Sequence, residues 1–238
     1  MTIADDPKHN LLLAALPDAD LRRWLPLMEW VEMPRGQVLY ESTDTDGHVY
    51  FPTTAVCSLL HDKGDGGSVR IAVVGHEGLV GMGFAIADES TPSRAIVQCA
   101  GRGLRIKRQT VRDDFDRGGA VLRLLLRYSL ALAAQMVQTA PCNQSDTLDR
   151  RLCRLLLLSL DRLRNDKVVM TRALMAELLG APGDGVSRCA FQLQDTGLTN
   201  NDRRHASGPD RPGLEKCGEC YAVIKKVYGQ LLPEDLAA

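Results

Sequence analysis

A surplus of charge of either sign is missing from this 238-residue sequence. Its 29 lysines and arginines nearly balance its 30 aspartates and glutamates, so the formal net charge at pH 7 is -1. A protein that holds a polyanion through bulk electrostatics carries a basic surplus. The balance therefore excludes a binder of that kind, and residues 146–238 hold only one more basic than acidic side chain.

Long apolar runs and an N-terminal signal peptide are absent as well. The start of the chain, Met1 to Asn10, has no apolar core, and runs such as Leu155–Leu158 fall far short of the ~18 residues that suggest a membrane span. No cysteine precedes Cys57, and the seven cysteines are scattered. We expect reduced, buried thiols in place of a disulfide framework, in a cytoplasmic protein with no membrane partner.

Catalytic motifs are missing too. The sequence has no Gly-x-Ser-x-Gly elbow, no His-Glu-x-x-His and no phosphate loop ending in Gly-Lys-Ser/Thr. Glu77 has acid–base chemistry available, but its setting in residues 75–78 favours a turn between strands. Cys217 and Cys220 have metal-like spacing without a second ligand pair, and their placement on a predicted helix over 214–232 favours packing. We therefore expect no enzyme, no metal and no bound cofactor.

The sequence has two regions with different patterns of apolar residues, and these regions meet near residue 145. Between Gly36 and Lys107, short apolar stretches alternate with turns rich in Gly, Asp, Ser and Thr. Strands at this spacing, with no helices between them, indicate an antiparallel sandwich or barrel. The predicted strands are 37–40, 48–51, 56–60, 69–74, 95–99 and 104–106, preceded by short helices over 11–16 and 18–28. The fold class is α+β.

A long helix is predicted after Gly118. Its apolar seam has spacings of three and four residues, which suits a coiled-coil dimer interface, although a helix packed on its own barrel would show the same pattern. We expect the seam to end or kink at Pro141, with residues 143–146 as a hinge, because an interior proline costs ~3 kcal/mol. The predicted interface residues are Leu122, Leu125, Ser129, Leu132 and Met136.

The remaining residues form a helical domain. A leucine-rich helix over 147–163 is followed by a helix that Thr171 caps and that stops at Gly180. A third helix then runs to about Asp195, ending before Gly197. Helix, short glycine turn, helix is the signature of a helix-turn-helix.

Several short sequence motifs along the chain add to this interpretation of the fold. They are Gly36–Glu41 (GQVLYE), His48–Pro52 (HVYFP), Val74–Gly78 (VGHEG), Ser93–Gln98 (SRAIVQ), Leu126–Tyr128 (LRY), Cys142–Asn143 and Cys220–Tyr221. Together with the order of elements, they resemble the CRP/FNR family of bacterial transcription regulators over roughly residues 10 to 233. The resemblance implies a homodimer with three parts. These are a cyclic-nucleotide-binding-like β-barrel or jelly roll (1–118), a dimerisation helix and hinge (119–145) and a winged helix-turn-helix (146–238) that binds double-stranded DNA at a roughly palindromic site.

Departures from the family pattern limit what carries over. Family members that bind cyclic nucleotides have a glutamate where this chain has Met82, and an Arg-Ser pair where it has Ser93-Arg94 in reverse order. The preferred interpretation of Arg94 is a barrel arginine paired with a neighbouring carboxylate. The cysteine cluster of iron–sulfur members cannot be built without cysteines before Cys57. A small-molecule effector in the barrel is compatible with the family, but the sequence identifies none.

The second helix of the helix-turn-helix carries the predicted base-reading face. Gly183 stands where the family places a base-reading arginine, and Gly183 and Gly185 each cost ~1 kcal/mol of helix propensity. The wing, Thr199–Gly208, has a poor β-pattern. A solvated helix face is the alternative for any one residue of this face. The predicted DNA-contacting residues are Thr171, Asp184, Ser187, Arg188, Gln192, Arg203 and Arg204.

Two functions follow as hypotheses. The first is a homodimeric, sequence-specific transcription regulator of unidentified effector, operator and sign of regulation. The second is a dimeric sensor or partner-binding protein of the same fold in which specific DNA binding is weakened or lost. Gly183, Gly185 and the irregular wing motivate the second.

Overall fold

The computed structural model describes residues 6–41, 47–62, 67–83, 93–163, 167–202, 205–207, 210–218 and 220–231. Two short helices open the chain, α1 (Leu11–Ala14) and α2 (Asp18–Trp24). Seven strands follow: β1 (Glu29–Met33), β2 (Val38–Tyr40), β3 (His48–Pro52), β4 (Val56–Asp62), β5 (Ser68–Val74), β6 (Ser93–Cys99) and β7 (Gly101–Lys107).

The strands form two antiparallel sheets that face each other. Their orders are β1-β7-β3 and β2-β6-β4-β5. Within the described residues the sheets are not closed into a barrel, so the sandwich alternative is the better description. Alternating inward residues of both sheets build the first hydrophobic core, in which Val49, Phe51 and Leu104 are almost completely buried.

All six predicted strands are present, and one strand was missed. Strand β1 pairs with β7 along Glu29–Met33, directly after the predicted helix over 18–28, where no strand was expected. That helix stops at Trp24, because Pro26 follows within a short 3-10 turn. Trp30 and Val31 are strand formers, so β1 left a weak local signal.

A short helix α3 (Arg108–Arg117) leads into the long helix α4 (Gly119–Ser145), whose bounds agree with the predicted 119–145. The apolar seam was expected to end or to kink at Pro141. It does not end there, because the helix continues one more turn to Ser145. Pro141 has no backbone N–H, so the carbonyl of Val137 has no hydrogen-bond partner within the helix. Both residues lie on the exposed side of the helix, where water can hydrogen-bond to that carbonyl. The chain becomes extended at Asp146.

The C-terminal part contains helices around a small sheet. Helices α5 (Leu148–Leu160), α6 (Arg172–Leu179) and α7 (Gly183–Asp195) are followed by α8 (Arg211–Cys217) and α9 (Cys220–Leu231). Strands β8 (Lys167–Val168), β9 (Asn200–Asp202) and β10 (His205–Ser207) pair in the order β8-β10-β9. The wing is therefore a regular hairpin despite its poor β-pattern. Its strand β10 is held by backbone pairing on both sides, which requires no alternation of apolar side chains.

The prediction of one helix over 214–232 is wrong, because the chain breaks at Gly218 between α8 and α9. Cys217 and Cys220 therefore lie on different helices and face different neighbours. The expectation that the cysteines are reduced holds for five of them: Cys57, Cys99, Cys153, Cys189 and Cys217. It is wrong for the other two, since Cys142 and Cys220 form a disulfide across 78 positions of sequence.

A second hydrophobic core joins the two halves of the protein. Leucines of α5, among them Leu152 and Leu156, pack with Val56, Leu60 and Ile96 of the four-stranded sheet. The same cluster continues into α6 and α7. The C-terminal domain is thus seated on one sheet of the sandwich.

In the part of the chain that the structure describes, one helix, α4, is long and apolar enough to cross a membrane by length and composition, with a mean hydropathy of 1.4 over its most apolar window. One face of it packs on the sandwich, where Val121, Leu124 and Tyr128 are buried. A core helix of a soluble protein passes the same test, and the packed face is consistent with such a helix.

Candidate nucleic-acid interface

Helices α6 and α7 form the predicted helix-turn-helix. The Thr171 hydroxyl accepts a hydrogen bond from the Leu174 backbone N–H at 3.2 Å, which confirms the predicted N-cap. Gly180 ends α6 in the left-handed conformation at φ +55°, as a helix-terminating glycine does. The turn between the helices is therefore set by local chemistry that the sequence displays.

Helix α7 has one buried and one exposed face. Val186, Ala190 and Leu193 are buried as predicted. On the opposite face Asp184, Arg188 and Gln192 are exposed, and Ser187 is half-buried. A helix of this kind, exposed along its length at the second position of a helix-turn-helix, has the geometry that enters a DNA major groove.

The sequence analysis missed Phe191 on this face. Its side chain is 64% exposed, and it lies three residues after Arg188 on the same side of α7. An exposed phenylalanine can contact the methyl group of thymine. The sequence could have indicated that Phe191 is exposed, because this residue falls outside the buried stripe of Val186, Ala190 and Leu193.

The side chains of the wing fall outside the described residues. Arg203 and Arg204 come between β9 and β10 in the sequence, and the two strands pair in the register His205 with Asp202. Their predicted contact with DNA stays a prediction.

Gly183 and Gly185 differ in the space around them. A Cβ at Gly183 would meet nothing within 4 Å, whereas a Cβ at Gly185 would lie 3.2 Å from Leu148 Cδ2. Gly183 therefore has room for a side chain directed away from the protein. Gly185 allows α7 to approach α5 closely.

We expect Gly183→Ala to raise the free energy of unfolding by up to about 1 kcal/mol, because alanine gains helix propensity without a clash. Gly185→Ala is the matched variant, and its gain should be smaller because Leu148 must move. Urea unfolding of both variants measures the difference. A loss of stability in Gly183→Ala would contradict the open geometry at this position.

The predicted seam of α4 is divided between two faces. Leu125 and Leu132 are only 2% and 7% exposed, because they pack into the sandwich core of the same chain. They offer little surface to a second copy in this conformation, and their assignment to a dimer interface stays a prediction. Leu122, Ser129 and Met136 lie at the boundary and are half-buried. One face of α4 thus packs on its own sandwich, and a dimer seam on another face stays a prediction.

The exposed apolar face of α4 lies one residue further along. It comprises Leu126, Leu130, Ala133 and Val137, again at spacings of four, three and four, and we call it the outer stripe. Leu130 is 61% and Val137 is 67% exposed. Sequence periodicity could not separate the two stripes, because both have heptad spacing and only the position of the sandwich decides which one is covered.

Arg94 connects the sandwich with the helix-turn-helix. Its guanidinium donates to Asp62 at 3.2 Å and to Glu177 of α6 at 2.5 Å. These contacts confirm the interpretation of Arg94 as an arginine paired with carboxylates. Nearby, Gln98 of β6 donates to the Ser159 hydroxyl of α5 at 2.5 Å. The sheet thus holds the C-terminal domain through polar contacts as well as through the second core.

A buried ion pair forms a further connection. Arg162, just after α5, donates from Nε to Glu77 at 2.7 Å, and both side chains are more than nine-tenths buried. Glu77 also accepts from the Gly75 backbone N–H at 3.1 Å, which confirms its role in a turn. Tyr228 of α9 lies with its ring 5.5 Å from the Arg162 guanidinium. The sequence analysis did not find Arg162, because no local pattern marks a partner 85 residues away.

The chain joins α4 to α5 through a second polar cluster. Arg154 of α5 is almost fully buried and donates to Asp146 and, at 2.7 Å, to Asn143. Asn143 in turn donates to the Arg70 backbone carbonyl at 3.0 Å. The predicted hinge over 143–146 is therefore tied to both domains in this conformation.

These features define a class of protein: a two-sheet sandwich, a long helix with an exposed apolar stripe, and a winged helix-turn-helix with an open recognition helix. Solved structures that share the arrangement are CRP/FNR regulators, and the chain has their fold. One is described as a CRP/FNR-family transcriptional regulator from Eubacterium rectale. At 12% identity it covers 89% of this chain and 99% of its own, with a TM-score of 0.68.

Two further structures agree. The c-di-GMP responsive regulator CLP of Xanthomonas campestris is 15% identical, covering 80% of this chain and 98% of its own, with a TM-score of 0.61. FixK2 of Bradyrhizobium japonicum is 18% identical, covering 80% and 97%, with a TM-score of 0.59. No family model matches the sequence, and no curated protein does either. The descriptions of the proteins from Eubacterium rectale and Xanthomonas campestris name them as regulators.

Proposed function

We propose that this protein is a cytoplasmic, homodimeric regulator of transcription that reads a roughly palindromic DNA site. The observation that carries the proposal is the exposed face of α7, where Asp184, Ser187, Arg188, Phe191 and Gln192 are presented on the second helix of a helix-turn-helix. Arginine at such a position reads guanine, and phenylalanine contacts thymine methyl groups. A small-molecule effector in the sandwich domain stays unassigned.

The outer stripe supports the dimeric part of the proposal. Symmetric pairing of two α4 helices along Leu126, Leu130, Ala133 and Val137 would bury apolar side chains that water now covers. Leu122, Ser129 and Met136 would flank that seam. A dimer presents α7 twice, which allows specific binding with few basic residues per copy. The near-zero net charge then predicts weak non-specific affinity and a shallow salt dependence.

Selection from a pool of random DNA duplexes tests the proposal. We expect enrichment of one sequence with two related half-sites, at low salt and again at higher salt. Recovery of no enriched sequence at low salt would contradict a sequence-specific regulator.

We expect Arg188→Ala to weaken binding to the enriched duplex by about 1–3 kcal/mol, because the variant loses a contact to base edges. Binding to random duplex should weaken much less. Arg22→Ala, on α2 in the sandwich domain, removes the same charge far from α7 and is the matched control. Fluorescence anisotropy titrations of the three proteins on both duplexes measure the effect.

The second candidate is a dimeric sensor or partner-binding protein whose specific DNA binding is weakened. The absence of a side chain at Gly183, at the start of α7, favours it. An equal loss on enriched and random duplexes from Arg188→Ala would support this candidate, and a selective loss on the enriched duplex would reject it.

A further inference from the structure

The disulfide between Cys142 and Cys220 spans the connection between the two domains. Cys142 lies in the last turn of α4, and Cys220 is the first residue of α9. Their Cα atoms are 6.5 Å apart. Between them in sequence lies almost the whole C-terminal domain. The bond therefore joins the last helix of that domain to the end of the helix that precedes it.

Helix α9 is also held to the sandwich at its other end. It packs along α4, and its Tyr228 reaches Glu77 and Arg162. At the disulfide end, an oxygen of Asp146 lies within 4.8 Å of both sulfurs, and Arg154 donates a hydrogen bond to Asp146. A covalent bond at this point restricts the angle that the chain adopts at Asp146, and with it the orientation of α7 relative to α4.

Four of the other five cysteines are poor candidates for redox chemistry. Burial raises the pKa of Cys99 and of Cys189 to about 11. Burial also raises the pKa of Cys57, and burial together with a contact to Cys217 raises that of Cys153. Thiols with raised pKa stay protonated and react slowly. Cys220 differs from these four in being half-buried, so a small oxidant or reductant has access to it, whereas the half-buried Cys217 contacts Cys153 and forms no disulfide.

Resting on the function proposed above, we infer that Cys142 and Cys220 form a reversible thiol–disulfide site that controls how tightly the protein binds DNA. In a cytoplasmic protein a disulfide is usually transient, catalytic or redox-sensing. The oxidant class is a peroxide, and the reductant class is a dithiol. The bonded form presents α7 with the hinge fixed, so it is the form that binds DNA.

The chemistry balances with these partners. Cys220 is half-buried, and solvent takes the proton of its thiol. The Cys220 thiolate attacks a peroxide oxygen, the O–O bond breaks, and Cys220 becomes a sulfenic acid while one water leaves. Cys142 then attacks the Cys220 sulfur, the S–O bond breaks, and a second water leaves. Two thiols and one hydrogen peroxide thus give one disulfide and two waters, and a dithiol returns two electrons and two protons.

The experiment compares the full-length protein after treatment with dithiothreitol and after treatment with hydrogen peroxide. Thiol titration in denaturant should count all seven cysteines in the first sample and the five free ones in the second. Affinity for the enriched duplex should be about tenfold tighter in the oxidised sample, an ordinary size for coupling between sites, and dithiothreitol should reverse it. Equal affinities, or tighter binding by the reduced sample, would overturn the inference.

Variants assign the effect to this pair. Cys142→Ser and Cys220→Ser, with Cys142→Ala as a second choice if folding fails, should bind as the reduced protein does under both treatments. Cys217→Ser, three residues from Cys220 but in contact with Cys153, should keep the full response. A response that persists without Cys142 would overturn the inference, as would zinc bound by Cys142, Asp146 and Cys220 in the reduced protein, whose ligand atoms lie within 4.8 Å of one another.

Hydrogen exchange separates failure of this inference from failure of the proposed function. If neither sample binds any duplex specifically, the DNA-binding function is wrong. Exchange at residues 142–148 should nevertheless be slower in the oxidised protein than in the reduced protein. Identical exchange in both would show that the bond exerts no control over the hinge, and it would overturn the inference on its own.

Discussion

Replacing Glu77 with alanine should lower the free energy of unfolding by about 3–5 kcal/mol, because it leaves the Arg162 guanidinium buried without its carboxylate. Burial acts to lower the pKa of Arg162, but Glu77, Tyr228 and Asp161 together outweigh burial, so the pKa is raised. Arg162 also belongs to a region of buried positive charge. Burial and the neighbouring Arg154, Arg162 and Arg151 lower the pKa of Arg70 to about 9.

Urea unfolding tests this prediction with two further proteins. The double variant Glu77→Leu with Arg162→Leu removes both charges and should lose much less stability than Glu77→Ala alone. Glu29→Ala is the matched control, because Glu29 accepts from Arg105 at 2.7 Å in an exposed pair between β1 and β7, where ion pairs contribute little. Equal losses from Glu77→Ala and Glu29→Ala would contradict a structural role for the buried pair.

Placing a charge on the outer stripe should separate the dimer. Leu130→Asp introduces two carboxylates, one from each copy, into the apolar centre of a symmetric interface, where burial of the charges opposes association. A monomer binds only one half-site, so affinity for the enriched palindrome should fall by about 100-fold. Analytical ultracentrifugation and anisotropy titrations measure the two effects.

The control for this variant is Leu27→Asp. Leu27 is 53% exposed and lies in the sandwich domain, away from α4. It should leave both the oligomeric state and the affinity unchanged. A Leu130→Asp protein that stays dimeric would move the interface away from the outer stripe.

The sequence predicted local features well and long-range features poorly. The Thr171 cap, the Gly180 stop and the buried stripe of α7 follow from short-range rules, and the structure confirms them. The face of α4 that packs inward depends on where the sandwich sits, so the spacing alone did not indicate that Leu125 and Leu132 pack into the core of their own chain. The disulfide and the Glu77–Arg162 pair join residues 78 and 85 positions apart, and no spacing in the sequence indicates them.

The structure clarifies what the near-zero net charge implies for the proposed DNA binding. Many arginines outside α7 are paired or buried, as Arg94, Arg154 and Arg162 show. These three described arginines are therefore engaged within the protein and are not free to bind phosphates. The proposed specific binding would then depend strongly on the side chains of α7, and on having two copies of that helix.

The most direct test of this account is a hydroxyl-radical footprint on the enriched duplex. Two α7 helices related by a two-fold axis should protect two patches centred about 10 base pairs, or a small multiple of that, apart. Arg188→Ala should weaken protection of both patches equally. A single protected patch, or protection spread evenly over any duplex, would contradict a symmetric dimer that reads DNA through α7.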